Sequence, residues 1–326
     1  MTAAPLLSVE GLSVRFDLDG EGVDVVRGID FSIRPGKTLC LVGESGCGKS
    51  ITAMALLGLL PRNARVASGA VRFDGQDLAT IGERRLRKIR GRRIGMIFQE
   101  PMSSLNPTMT AGEQIAEVLR IHLGMNRRQA KSRTVELLLR FRPPRSAQRA
   151  DDYPFMFSGG MRQRVMIALA LACSPALLIA DEPTTALDVT VQAEILDLLA
   201  DLQAETGTAM LMITHDLGVV AEIADEVAVM YAGRIVENGA VGDVFEVPEH
   251  PYTIGLLGAL PSPEKRGRLT PILGRVPSPA DPMPGCRFSP RCPFSVERCE
   301  AEEPLLATLP GGQAVACWRA PLEALA

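Results

Sequence analysis

At 326 residues the chain has room for one large domain or two ordinary ones, with a substantial core. Its 46% apolar and 22% charged residues are ordinary globular values, which exclude disordered, collagen-like and disulfide-scaffold chains. Thirty-five Lys and Arg against 38 Asp and Glu leave a net charge of −3, so no basic excess drives phosphate-backbone binding and nucleic acid is not an expected partner.

The N-terminus carries Glu10 and Asp17 early and has no basic region followed by an apolar run, so no secretory signal is expected. The first strand signal is 38–42, a short apolar run that reads as a fully buried parallel strand. It is followed by Gly43-Glu44-Ser45-Gly46-Cys47-Gly48-Lys49-Ser50 and the apolar stretch 51–60, read as a helix. This fits G-x-x-x-x-G-K-[ST] in full, in the strand-to-helix context that a phosphate-binding loop requires. The glycines let backbone N–H groups turn around phosphate oxygens, and the helix N-terminus adds partial positive charge. Lys49 is expected to reach the β- and γ-phosphates of ATP, and Ser50 to ligate Mg²⁺. Cys47, beside Lys49 and a helix N-terminus, is expected to have a lowered pKa and high reactivity.

Seven of the ten residues 84–93 are basic, read as a solvated helix face before the next strand, 94–98, which ends at Gln99. From about 100 to 170 the strand rhythm stops and helical patterning takes over. Within it, Phe157-Ser158-Gly159-Gly160-Met161-Arg162-Gln163-Arg164 precedes an apolar helix, with Ser158 a candidate N-cap and the glycines exposing N–H groups to an anion. The run 176–180 is a third strand, ending in the adjacent carboxylates Asp181 and Glu182. Asp181 suits a Mg²⁺ shell, and Glu182 could orient and polarise a water attacking the γ-phosphate. A helix with apolar positions at 191, 195, 198, 199 and 202 leads to a fourth strand, 209–213, followed by His215. Strands alternating with helices predict an α/β sheet, whose ligands bind beyond the carboxyl ends of the strands. The longest apolar runs are about half of the roughly 20 residues that span a bilayer, so no transmembrane helix is expected and the chain reads as cytosolic.

After about 246 proline density rises sharply, which predicts an irregular appendage. Four of the seven cysteines lie there, Cys286, Cys292, Cys299 and Cys317. In a reducing compartment they read as thiols or metal ligands before disulfides. Four thiolates suit zinc or an iron–sulfur cluster, although none of the gaps is a C-x₂₋₄-C knuckle. Cys40 and Cys173 read as core.

The order of phosphate loop, Gln99, Ser-Gly-Gly signature, Asp-Glu strand, Ala186-Leu187-Asp188 and His215 resembles the ABC ATPase family over roughly residues 8 to 245. The resemblance implies a P-loop, RecA-like ATP-binding core at 1–99 and 170–245 with an inserted helical subdomain at 100–169. It also implies a head-to-tail pair in which ATP lies between one phosphate loop and the partner's signature. Carried over by motif, Phe16 would stack on adenine and Gln99 would contact Mg²⁺ or water and transmit to membrane subunits. His215 would hold the γ-phosphate, and Asp188 would communicate across the interface. The signature departs from the commonest Leu-Ser-Gly-Gly-Gln at Phe157 and Met161.

Beyond the cassette, His250-Pro251-Tyr252-Thr253, Val276-Pro277-Ser278-Pro279 and Gly285-Cys286-Arg287-Phe288-Ser289-Pro290-Arg291-Cys292-Pro293 resemble the C-terminal extension of oligopeptide, dipeptide and nickel importer ATPases. The basic, proline-bearing segment 140–149 departs from that subfamily. The resemblance implies an ATPase at the cytoplasmic face of the membrane that powers import of peptides, or of nickel or another small solute. Its partners would be a second ATPase subunit, two transmembrane permease subunits and an external solute-binding protein. A soluble ABC protein acting outside transport is the rival reading. Some members of the subfamily hold a [4Fe-4S] cluster on such cysteines, so the extension 246–326 is expected to carry a cluster, zinc or free thiols.

Overall fold

The computed structural model describes residues 4–18, 20–141, 149–185, 187–259 and 272–322. Ala186, residues 142–148 of the divergent segment, and Leu260, Pro261, Pro263 and Pro271 of the tail lie outside the described residues. In chain order the strands are β1 (Leu7–Leu18), β2 (Glu21–Ile33), β3 (Thr38–Val42), β4 (Ala64–Phe73), β5 (Gln76–Asp77), β6 (Ile94–Ile97), β7 (Leu177–Asp181), β8 (Ala209–Thr214), β9 (Glu226–Tyr231), β10 (Arg234–Ala240), β11 (Ala307–Thr308) and β12 (Ala314–Val315). The chain divides into two compact units. One comprises Met1–Leu6, Ile33–Thr38 and Asp74–Ile213; the other comprises Leu7–Ser32, Leu39–Phe73 and Thr214–Ala326.

In the first unit β6, β7 and β8 run parallel, with Ile94 opposite Leu177 and Leu177 opposite Ala209. Every residue of β7 and β8 is buried, which is why they appear in the sequence as unbroken apolar runs. The helix Val189–Thr206 covers them with Ile195, Leu196, Leu199 and Leu202, and Asp188 caps its start by accepting from Val191 N at 2.9 Å. Between β6 and β7 the described residues are helical, at Pro101–Ser104, Ala111–Leu123, Arg127–Arg140 and Gly159–Leu171. Two of these helices open with reciprocal capping pairs, Thr110 with Glu113 and Asn126 with Gln129, each satisfying two otherwise orphaned N–H groups. The basic run forms the helix Glu83–Ile89, burying only Leu86, with Glu83 paired to Arg87 and Arg90.

In the second unit β1 and β4 pair antiparallel with Leu7 opposite Phe73, a pairing the sequence reading did not anticipate. The register slips between Glu10 and Ser13, around Gly11 at φ +57°. Gly69 lies so close there that a Cβ would meet the Gly11 carbonyl at 2.4 Å. Elsewhere in this unit β3 runs parallel to β9, β9 turns into antiparallel β10, and β10 pairs with β12, which pairs with β11.

That last pairing corrects the expectation of an irregular appendage, for the described part of the tail. β12 adds to the sheet with Val315 opposite Glu237. Glu237 is fully buried and accepts from Glu249 N (2.6 Å), His250 N (3.1 Å) and Gln313 Nε2 (2.5 Å). Tyr231, Tyr252, Phe288 and His250 pack on one another as a ring cluster. Tyr231 and Tyr252 have ring centroids 4.6 Å apart, and Tyr231 meets Phe288 edge-on at 5.2 Å. Burying aromatic side chains this fully is worth about 2 to 3 kcal/mol each. Sparse secondary structure has therefore not prevented a packed core. Among the described residues no helix is long and apolar enough to cross a membrane.

His250 is 1% exposed, and its Nδ1 accepts from Tyr252 N at the start of the helix Pro251–Gly258. Burial pushes its pKa down to about 3, so the unfolded chain takes up a proton below pH 6.5 that the folded chain refuses. Stability should therefore fall as pH drops from 6.5 toward 3, by up to about 1.4 kcal/mol per pH unit. Burial raises the facing Glu237 carboxyl instead, an opposing contribution. Comparison with His250→Asn, which keeps a capping acceptor, isolates the histidine. In urea unfolding across this range the wild-type stability should fall more steeply toward acid than that of the variant, and parallel curves would refute the assignment.

Candidate active site

In the second unit the phosphate loop leaves β3 at Gly43, whose backbone lies against the β9 end. A Cβ there would stand 2.1 Å from the Met230 carbonyl. Gly46 and Gly48 also hold positive φ, at +80° and +109°, and Gly48 is the N-cap of the helix Lys49–Leu56. A side chain at these angles is strained. Lys49 is 5% exposed; its ammonium donates to the carbonyls of Gly43 (2.7 Å) and Glu44 (3.1 Å). Gly233 N, in the β9–β10 turn, donates to Cys47 O at 3.0 Å and fixes the loop from below. Ser50 is half-buried in the first turn, Ser45 is exposed, Phe16 is half-buried on β1 opposite Ala64, and His215 is exposed just after β8.

The expectation for Cys47 is overturned. Its side chain is 1% exposed and its pKa is raised, because burial outweighs the opposing pull of Lys49. Adjacency to a lysine in the sequence was the wrong guide; loss of solvent decides.

Glu44 has partners that no motif announces. Its backbone N–H donates to Tyr252 Oη at 2.9 Å, and its carboxylate takes both arms of Arg291, at 2.6 and 3.0 Å. Arg291 also donates to Tyr231 Oη (3.3 Å) and to the carbonyls of Leu273 and Ile272. The sequence offered Tyr252 and Arg291 only as parts of the tail motifs and did not single out Tyr231, since a charged or phenolic side chain some 200 positions away carries no local signal of a role at the loop.

In the first unit Asp181 ends β7 at 3% exposure. Glu182 follows with φ +47°, a left-handed conformation costing of order 1 to 3 kcal/mol in a residue that is not glycine. Its N–H donates to Ile213 O at 2.9 Å. Its carboxylate accepts from Gln99 Nε2 (3.1 Å) and Thr185 Oγ1 (2.8 Å), so the structure brings Gln99 and Glu182 together directly. The sequence did not single out Thr185.

Also in this unit, Ser158, Gly159, Gly160, Leu187, Asp188 and Val191 line one cleft of about 810 Å³. Ser158 occupies the N-cap of the helix Gly159–Leu171, but its hydroxyl makes no capping bond, contrary to that part of the expectation. Phe157 is 3% exposed; the departure from the commonest signature is a core side chain.

Cys286, Cys292, Cys299 and Cys317 line one small cavity with His250, Phe288 and Trp318. Burial raises the thiol pKa of Cys286 to about 11 and lifts those of Cys292 and Cys317. Among the described residues no three His, Cys, Asp or Glu side chains stand where they could hold a metal ion. The four thiols thus converge without forming a ligand set, and the expected [4Fe-4S] cluster gains no support from their spacing.

Residues 26–185 match the ABC transporter family, and residues 236–299 match the oligopeptide/dipeptide transporter C-terminal region. The chain is 50% identical over 319 residues to a protein of Brucella abortus named as a peptide import ATP-binding protein, covering 97% of this chain and 96% of that one. It is likewise 50% identical over 318 residues to a Sinorhizobium fredii protein named as a peptide ABC transporter ATP-binding protein, covering 96% and 95%. Among solved structures, a dimeric bacterial ABC transporter cassette is similar with TM-score 0.66 at 27% identity, over 72% of this chain and 98% of that one. The cbiO1 subunit of an ABC transporter complex from Clostridium perfringens is similar with TM-score 0.63 at 28% identity, over 75% and 92%. Agreement along nearly the whole length, through both the cassette and its tail, shows that the chain belongs to the ABC transporter ATP-binding proteins, in the branch that carries the oligopeptide/dipeptide C-terminal region.

Proposed function

We propose that this chain is the ATP-binding and ATP-hydrolysing subunit of an importer of di- or oligopeptides, bound peripherally at the cytoplasmic face of the membrane. The observation that carries the chemistry is the complete phosphate loop between a buried strand and a helix, with Lys49 held at its base. Peptide import is supported by the names of the full-length relatives. The working assembly in this reading is two ATPase subunits beneath two permease subunits, fed by an external solute-binding protein.

The domain reading assigns 1–99 and 170–245 to the ATP-binding core, 100–169 to the helical subdomain and 246–326 to the extension. In it, the loop from Gly43 to Ser50 cradles the phosphates with its N–H groups, apart from that of Glu44, which is bonded to Tyr252, and Phe16 stacks on adenine. Lys49 moves its ammonium from loop carbonyls to phosphate oxygens. Ser50 in the second unit, and Asp181 and Gln99 in the first, carry the Mg²⁺-ligand roles that the family resemblance implies, for an ion that neutralises phosphate charge. Ser158, Gly159 and Gly160 present the helix N-terminus to the nucleotide of the partner subunit, and Asp188 speaks to that partner. Glu182 orients the attacking water and draws its proton, while His215 steadies the γ-phosphate. The bonds that Gln99 and Thr185 donate to Glu182 aim its carboxylate.

For the cysteine-lined cavity we propose the [4Fe-4S] cluster that the subfamily resemblance implies, which requires the four thiols to close into a ligand set that they do not form in this structure; zinc and free thiols are the alternatives. Anaerobic purification followed by iron, sulfide and zinc assays should give about four iron and four sulfide per chain. One zinc, or no metal, would displace the cluster.

Glu182→Gln should bind MgATP yet hydrolyse it at least about 100-fold more slowly, because the amide cannot accept the proton of the attacking water. Near-normal turnover would remove Glu182 from this role.

A further inference from the structure

We infer that Arg291, in the C-terminal tail, is a positioning residue for ATP that acts through Glu44 to hold the phosphate loop in its binding shape. This inference rests on the ATP reading of that loop.

Glu44 is the second residue of the loop, and every polar part of it is tethered. Its carbonyl and that of Gly43 receive the Lys49 ammonium. Its N–H is spent on Tyr252 Oη, and its carboxylate receives two parallel bonds from the Arg291 guanidinium. The residue that seats the catalytic lysine is therefore itself seated by the tail, across 247 positions of sequence.

Arg291 is built for this task. Its side chain is 3% exposed, whereas the Glu44 side chain is 31% exposed. Its remaining bonds reach Tyr231 Oη and the carbonyls of Leu273 and Ile272, so all three nitrogens of the guanidinium are fixed. The guanidinium also lies 5.7 Å from the ring centre of Tyr231 and 5.9 Å from that of Phe288. A buried ion pair contributes little net stability, because desolvating the charges offsets their attraction. What a bidentate pair supplies is orientation.

Orientation is what a phosphate loop needs. The N–H groups that bind phosphate must stay free, so the loop has to be gripped through its side chains, its carbonyls and an N–H that is bonded elsewhere, as that of Glu44 is to Tyr252. Glu44 offers the grip, and Arg291 with Tyr252 takes it. A loop released at Glu44 would have to be ordered by the nucleotide itself, and that ordering subtracts from affinity. Loss of the grip weakens ground state and transition state alike, so KM for ATP rises while kcat is spared.

The test uses the full-length chain, with ATP binding measured calorimetrically, steady-state hydrolysis, and thermal unfolding as a control. Arg291→Ala should weaken ATP binding about tenfold, with kcat changed less than about threefold. Arg291→Lys, which keeps the charge and loses the fork, should fall between it and wild type. Glu44→Gln should weaken binding by a similar factor, and the double variant Arg291→Ala/Glu44→Gln should bind no worse than the weaker single variant. A tail residue acting only on overall stability would instead lower the unfolding temperature without this dependence on Glu44, and the two effects would multiply. ATP affinity of Arg291→Ala within about twofold of wild type, or multiplying effects, overturns the inference. If Arg291→Ala does not fold, Arg291→Lys and Glu44→Gln decide by the same criteria. A wild-type chain that binds no ATP would sink the nucleotide reading and the clamp together, whereas normal wild-type binding with unaltered variants sinks the clamp alone.

Discussion

A phosphate loop must be rigid and hollow at once. Its N–H groups have to face an empty concavity in the free protein, which forbids the hydrogen bonds that stiffen ordinary backbone. Here the stiffness is supplied from outside. Gly43 is pressed against Met230 at the end of β9, Cys47 O is held by Gly233, and Glu44 is held by Tyr252 and Arg291. The β9–β10 hairpin, the ring cluster and the tail can each be understood as part of the mould around this one loop.

The parts of this fold that were legible in the sequence are those whose physics is local. β3, β7 and β8 are buried on both faces and read as continuous apolar runs, and the glycine pattern from Gly43 to Gly48 states its own backbone requirement. β1 and β4 were not legible: Glu10, Arg15 and Asp17 interrupt their apolar residues, and the bulge at Gly11 breaks the two-residue period. The tail was misjudged for a different reason. Proline counts report the absence of regular hydrogen-bond ladders, but packing of Tyr231, Tyr252 and Phe288 needs no ladder.

The candidate site divides in the same way. Lys49, Asp181 and Glu182 follow from motif and strand end. Thr185, Tyr252 and Arg291 do not, because their roles arise only when distant segments meet. Cys47 shows how a correct local premise can give a wrong result: the lysine is beside it and does lower its pKa, yet near-complete burial is the larger effect. Gln99 shows the reverse, since a bland residue at a strand end becomes informative once its amide is found on the Glu182 carboxylate.

The pairing of β10 with β12 has a consequence for how the molecule is made. Glu237 is synthesised before the donors it needs for burial, Glu249 and His250 by 12 and 13 positions and Gln313 by 76. Until the last of these emerges from the ribosome, one margin of the nascent sheet carries an uncompensated carboxylate and an exposed strand, neither of which tolerates burial. That margin can be completed only once residues 307–315 are present. A product arrested after β10 would keep the phosphate loop but lack the contacts that close its sheet, leaving an open edge of the kind that pairs with other chains.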